Sequence, residues 1–394
     1  MNDIYQGREQ TQAKHFILET YLKALAMKLL EGGYSRISFV DGFSGPWASK
    51  SEKFADTSFK IALTVLSDVA KYFEDKGNPK SINCFFVEKD KAAFLKLQEE
   101  VLQYHRPQKR FIVQAINCPF EDAIPEIQKF VQGSFALIFI DPTGWTGYPL
   151  DKMSPLLRQG KGEVLLNFMF DFINRFASSD NEPTIESFER NLGRNWKQKL
   201  DPLLPPGLAV ERLFCSNLKE AGNYNFVLST KIEKSQTRRP HFSLIYATRH
   251  YEGLKTFRDV ENTALSIHEG RVSTARTNTK MIKTGQPSLF DAEDILEHGS
   301  FSLAKSTALK HAFSFVEERI KIEKTKLAFQ KLAAETMEKF MVRETDVKDL
   351  CVDLAKLGKI EPTWKLRGPK IQKPAQNDLL IWIGEDTPPT PPSP

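Results

Sequence analysis

The sequence is poor in the residues that cross-link a fold or bind metal. Its 394 residues include four cysteines, Cys84, Cys118, Cys215 and Cys351. No Cys-x-x-Cys pair occurs, so neither a disulfide framework nor a zinc site is encoded, and no metal ligand set is expected. All four read as packing residues. Long apolar runs are missing too, since nothing approaches the roughly 18 residues of a membrane span. Met1-Asn2-Asp3-Ile4-Tyr5 has no charged-then-apolar leader pattern, so a cytoplasmic chain without membrane contact is expected. Charge of one sign is scarce: a net +5 is mild for this length, and any affinity for polyanions must rest on where the basic residues fall. At 41% hydrophobic content the chain can bury a large core. Domains of about 100 to 200 residues make two units the expectation.

What is present begins at Ser38-Phe39-Val40-Asp41-Gly42-Phe43-Ser44-Gly45-Pro46. A strand ending at Val40 runs into an acid and two glycines, and Ser58 to Lys76 then reads as a helix. In an open α/β sheet the carboxyl end of the first strand is where a nucleotide-like ligand sits, and glycine lets backbone approach it. A second strand, Ile82 to Val87, ends in Glu88, an acid placed to hold ribose hydroxyls. A third, Phe135 to Ile140, ends in Asp141-Pro142-Thr143-Gly144-Trp145. Three apolar strands delivering carboxylates at one end predict one site.

Helical spacing over Thr11 to Glu31 precedes the first strand. Beyond it, strands at 82–87, 111–115, 135–140 and 163–168 alternate with helices, which predicts a parallel sheet. Two further strands, Phe226 to Ile232 and Phe242 to Thr248, are joined by only nine residues and must form an antiparallel hairpin. Five parallel strands closed by such a hairpin describe a Rossmann-like class I methyltransferase sheet over residues 1–268. A polar linker is expected over 269–299 and a winged-helix-like domain over 300–384, with strands at 363–366 and 379–383 and a wing carrying Lys365, Arg367, Lys370 and Lys373. Residues 385–394 are Pro-rich and expected to be disordered.

The set Lys14-His15-Phe16-Ile17-Leu18, Val40 to Pro46, Phe86 to Asp90, Ile140 to Gly144 and Leu166 to Phe170 with Ile173 to Phe176 resembles the three-Cys-motif partner (TcmP) family. The resemblance implies a methyltransferase-like fold and a radical-enzyme-like three-Cys protein as partner. The chain departs from the family at Thr143, where an aromatic is usual, and near Cys118-Pro119, where a Gly-Asp pair is usual.

On this reading Asp41, Gly42, Ser44, Gly45 and Glu88 bind S-adenosylmethionine, against the plainer alternative of a helix-capping β-α turn. Asp41 and Glu88 stand 47 residues apart, against about 20 in the usual unit, which marks Trp47 to Thr57 as an inserted loop. Asp141, Pro142, Trp145 and Asn167 form the catalytic set, by likeness to the Asp-Pro-Pro-aromatic box that holds an exocyclic amine of a flipped base. The alternative for Asp141 is a cap on the next helix. Asp171, Asn174 and Arg175 are either a substrate lip or a hydrogen-bonded turn. Lys14 and His15 read as helix-start surface residues, with His15 a proton acceptor if it folds over the cleft. The basic loop 234–239 and the wing point to nucleic acid. In the linker, Gln286, Leu289 and Phe290 match the QxxLF peptide that docks on the bacterial sliding clamp, which would favour DNA over RNA. The competing class is a non-catalytic adaptor or nucleotide-sensing partner.

Overall fold

The computed structural model describes residues 5, 8–45, 49, 51, 53–169, 173, 181–233, 240–284, 300–323, 326–368 and 370–384. They form two compact units, Met1–Glu297 and His298–Pro394.

The first unit is built on a seven-stranded sheet of order β3-β2-β1-β4-β5-β7-β6. Its strands are β1 (Arg36–Asp41), β2 (Ser81–Val87), β3 (Phe111–Ile116), β4 (Phe135–Ile140), β5 (Gly162–Phe168), β6 (Phe226–Glu233) and β7 (Pro240–Thr248). The first five are parallel, and β7 runs antiparallel to both β5 and β6, as expected from the short connection. The central strands are apolar throughout, as in Phe135–Ile140, because helices cover both faces and leave no solvated side.

On one face lie α1 (Glu9–Glu31) and α2 (Ser58–Asp75). On the other lie α4 (Phe120–Val131) and α5 (Leu150–Arg158), with α3 (Lys91–Leu102) following β2. α4 shows why such segments fold as they do. Phe120, Ile124, Ile127 and Val131 recur at helical spacing and are all buried against the sheet. Each such side chain contributes about 1.5–3 kcal/mol on burial. Next come α6 (Glu182–Leu192), α7 (Pro206–Gly222) and α8 (Tyr251–Thr284).

The last of these corrects the expected linker. Helix continues through residue 284, although Gly270, Ser273, Asn278 and four threonines are weak helix formers. Among the described residues, no helix is long and apolar enough to cross a membrane.

The second unit contains α9 (Ser300–Glu323), β8 (Leu327–Ala328), α10 (Phe329–Lys339), α11 (Glu344–Lys356) and β9 (Leu379–Leu380), with β8 and β9 antiparallel. Isolated bridging joins Ile360 to Trp382. The strand expected at 363–366 is instead a 3₁₀ turn, Thr363–Arg367, closed by Lys365 N–H on the Pro362 carbonyl at 3.0 Å and anchored by buried Trp364. The strand expected at 379–383 survives as two residues and the bridge.

Candidate functional site

Parallel register brings Asp41, Glu88, Asp141 and Asn167 to the same end of the sheet. Asp41 pairs across from Phe139 and Phe86, and Ile140 pairs with Leu166. The four acids and amides expected to share a site therefore do share an edge. Their hydrogen bonds give them different roles.

Asp41 is fully buried. One carboxylate oxygen accepts from the Phe43 amide at 3.0 Å and the other from the Ser58 hydroxyl at 2.6 Å. The partners come from the β1–α2 turn and the start of α2, so Asp41 organises its own turn, and its full enclosure, unlike the part-exposed Asp141, keeps its oxygens from a ligand. Burial raises its carboxyl to about 6, opposed by those two hydrogen bonds. Ser44 locks the same turn to β2: its hydroxyl donates to the Asp41 carbonyl at 2.8 Å and its amide to the Val87 carbonyl at 2.9 Å. Gly42 owes its identity to packing, since a Cβ there would sit 2.7 Å from the Phe120 ring. Gly45 ends the described part of the turn.

Glu88 follows β2 and is also buried, which raises its carboxyl above the ordinary value. Its Oε1 accepts from the Asp90 amide at 2.6 Å, and its carbonyl accepts from Asn117 Nδ2 at 2.7 Å.

Asp141 is the hub. Lys14 Nζ donates to its Oδ2 at 2.5 Å, and Asn167 Nδ2 donates to its Oδ1 at 2.7 Å. Lys14 comes from α1, 127 residues away, and is nearly buried rather than a helix-start surface residue. The sole sequence signal for this pairing was a lysine on the first turns of a helix preceding β1. Orienting the Asn167 amide nitrogen toward Asp141 turns its Oδ1 away, and that oxygen is buried with no partner among the described residues.

His15 is not a proton acceptor for chemistry near neutral pH. Burial and the Lys14 charge push its imidazole down to about 3, and its Nδ1 lies 3.0 Å from the Tyr5 hydroxyl. A base that weak is poorly matched to such work. The start of α1 is held over the inserted loop by Arg8, whose guanidinium donates to Asp56 at 2.6 Å, while Ser49 donates to the other Asp56 oxygen at 2.6 Å.

Trp145 does not offer the base-stacking face expected of it. Its indole is 1% exposed. Phe188, Phe168 and Phe214 stand at 5.1, 5.2 and 5.8 Å, and its N–H donates to the Ser187 carbonyl at 3.2 Å. Helix α6, on a stretch where the sequence pattern predicts no element, supplies Phe188 and Ser187. Pro142 is buried beside the hub. In the second unit, two of the four wing cations are neutralised: Arg367 donates to Asp378 at 2.7 Å and Lys373 to Asp349 at 2.5 Å. Lys365 and Lys370 are exposed. Gln286, Leu289 and Phe290 lie outside the described residues, as do Asp171, Asn174, Arg175 and the loop 234–239.

No described protein family matches the chain, and neither does any curated protein. Among solved structures, the methyltransferase domain of bacterial CtHen1-CN aligns over 59% of this chain and 99% of its own, at 9% identity and a TM-score of 0.31. The corresponding domain of CtHen1-C aligns over 59% and 98%, at 11% identity and 0.29. Loganic acid methyltransferase with SAH aligns over 71% and 92%, at 8% identity and 0.26. Likeness this slight assigns neither a fold nor an activity.

Proposed function

We propose that this chain is a class I methyltransferase-like protein that uses S-adenosylmethionine to methylate an amino group of a nucleic-acid base. The observation that carries the reading is the orphaned Asn167 Oδ1 beside Asp141 at the carboxyl end of β4 and β5. A buried acceptor without a donor costs about 1–3 kcal/mol, which a ligand N–H would recover. Strand order with a terminal antiparallel hairpin supports the same reading.

S-adenosylmethionine supplies, when bound, an electrophilic methyl group on a cationic sulfur. Glu88 would hold its ribose hydroxyls, whereas Asp41 keeps the neighbouring turn in shape. Asn167 Oδ1 and Asp141 would each accept one N–H of an exocyclic amine, leaving the nitrogen lone pair to point away from both. Lys14 fixes the Asp141 carboxylate so that it cannot rotate out of that position. The second unit, with its helices and short antiparallel ladder, supports a winged-helix-like targeting module in which Lys365 and Lys370 remain available for phosphates.

A non-catalytic adaptor, paired with a radical-enzyme-like three-Cys protein, is the second reading. It is favoured by the enclosed Trp145 ring and by an Asp41 whose oxygens both face inward. Calorimetry with S-adenosylmethionine, followed by transfer of labelled methyl to DNA and RNA, separates the two. Asp141→Ala and Asn167→Ala should each keep cofactor affinity within about threefold and lower transfer by about 100-fold or more, the scale of a lost positioning contact. Binding without transfer by the wild type would select the adaptor.

A further inference from the structure

At the opposite end of the sheet from Asp141 the first unit holds a cavity of about 330 Å³. That is the small end of the roughly 300–1,000 Å³ range of ligand sites. It lies among α1, the turn before β1, the starts of β4 and β5, and the first turns of α8. Its wall is rich in rings, since Tyr21, Tyr34, Phe135, His250 and Tyr251 all line it, with Leu25 and Leu29 between them. Tyr34 meets Phe135 edge-on at 5.9 Å between ring centroids. The face of an aromatic ring is negative, so rings gathered around a cavity attract a cation and give an anion nothing. Tyr34 already draws one from outside the wall: the Lys161 ammonium stands 5.2 Å from its centroid.

The charged side chains of the wall are two carboxyls and one ammonium, from Glu163, Glu252 and Lys28. Lys28 is exposed and donates to the Thr256 hydroxyl at 2.7 Å, which holds its charge at the rim. Glu252 is exposed on the first turn of α8. His250 is kept from adding a positive charge, because partial burial and the charges of Arg249 and Lys161 lower its pKa. Glu163 is buried, and its two oxygens accept from the Tyr21 hydroxyl at 2.6 Å and the Thr248 hydroxyl at 2.7 Å. Those donors carry no charge. Burial, working against them, raises the Glu163 pKa. A monocation lodged in the cavity would supply the compensating charge and leave both hydrogen bonds in place.

We infer that this cavity binds a small organic monocation of the quaternary ammonium class, its methyl groups packed on the aromatic wall and its charge balanced by Glu163 and Glu252. The site is separate from the acceptor site and does not depend on methyl transfer. Lys14 and Lys28 lie on the same helix, about 21 Å apart along its axis at 1.5 Å per residue.

Calorimetry on the full chain tests it with three probes of matched shape: choline, its neutral analogue with carbon in place of nitrogen, and anionic tert-butylacetate. Choline should bind at least about tenfold more tightly than either relative, as expected of a cation desolvated among rings. Two charge variants should move its affinity in opposite directions, Glu252→Gln weakening it about threefold and Lys28→Gln strengthening it by a similar factor. Tyr34→Leu keeps the wall apolar but removes a ring, and should narrow the preference for choline over the neutral analogue. Leu29→Trp, which fills the cavity, should abolish binding while far-ultraviolet circular dichroism stays unchanged. Binding of the neutral analogue as tight as that of choline would overturn the inference by making the cavity merely apolar. No choline binding at millimolar concentration, weaker binding in Lys28→Gln, or affinity untouched by Leu29→Trp would overturn it as well.

Discussion

The two ends of the sheet hold a carboxyl differently. At the carboxyl end Asp141 is met by an ammonium and an amide, from Lys14 and Asn167. At the amino end Glu163 is met by hydroxyls, from Tyr21 and Thr248, with Tyr246 2.5 Å from Tyr21. A cation balances charge and leaves an acceptor such as Asn167 Oδ1 unsatisfied for something else to complete. Hydroxyl donors close the hydrogen bonds, and burial, working against them, raises the Glu163 pKa. The first arrangement is suited to recognition and the second to holding helices on strands.

Gly253 shows how closed the second arrangement is. A Cβ there would lie 2.4 Å from the Glu163 Oε1 and 2.6 Å from the Tyr246 hydroxyl, so α8 seats directly on the carboxyl.

The comparison is most exposed at Glu163. Glu163→Ala would leave buried hydroxyls on α1 and β7 without their acceptor, so urea denaturation should show a loss of about 3–5 kcal/mol. Glu163→Gln should recover most of it, because the shape is kept, one hydroxyl keeps its acceptor oxygen and the other can rotate to accept from the amide N–H. A loss under about 1 kcal/mol in the alanine variant would mean that the network contributes little.

Asp41 sharpens the contrast, since it lies at the chemical end yet is bonded like Glu163. Its folded-state pKa of about 6 exceeds the ordinary 3.8, so the folded protein binds the proton more tightly than the unfolded chain. Stability should therefore fall as pH rises from about 4 to 6, by about 3 kcal/mol from this group. In Asp41→Asn that part of the slope should vanish from thermal unfolding measured across the window. An identical slope in wild type and variant would show that the carboxyl titrates normally.

Lys14→Met carries the smallest expected cost, about 1.5–3 kcal/mol for a hydrogen bond between charged groups. Unlike Glu163→Gln, it should lower methyl transfer far more than stability. Equal and modest loss of both would make Lys14 a packing residue.

Much of the sheet was legible because its signals are local. Apolar strands ending in Asp41, Glu88 and Asp141, and a short gap before β7, need only neighbours in the chain to be read. Pairings across long separations were not. Lys14 meets Asp141, and Tyr21 meets Glu163, through a helix whose contacts depend on how it lies over the sheet. An acid at the start of β5 reads as a solvated strand end until Tyr21, Thr248 and Gly253 close over it. Trp145 misled for the same reason, since the phenylalanines that enclose it come from β5, α6 and α7. Polar composition and weak helix formers such as Thr274, Thr277, Asn278 and Thr279 concealed the continuation of α8.

Helix α1 places Lys14, Tyr21 and Lys28 at intervals of seven residues, touching Asp141, the Glu163 network and Thr256 of α8 in turn. Seven residues return a helix to within about 20° of the same heading, whereas six or eight do not. The helix is therefore indexed as a toothed rack is, by spacing as much as by chemistry. Conservative replacements between the teeth leave that indexing alone. One residue inserted or deleted between positions 14 and 21 would turn the Lys14 contact about 100° away while the other two held. Homologous chains that keep these three contacts should vary in composition along this helix but never in its length.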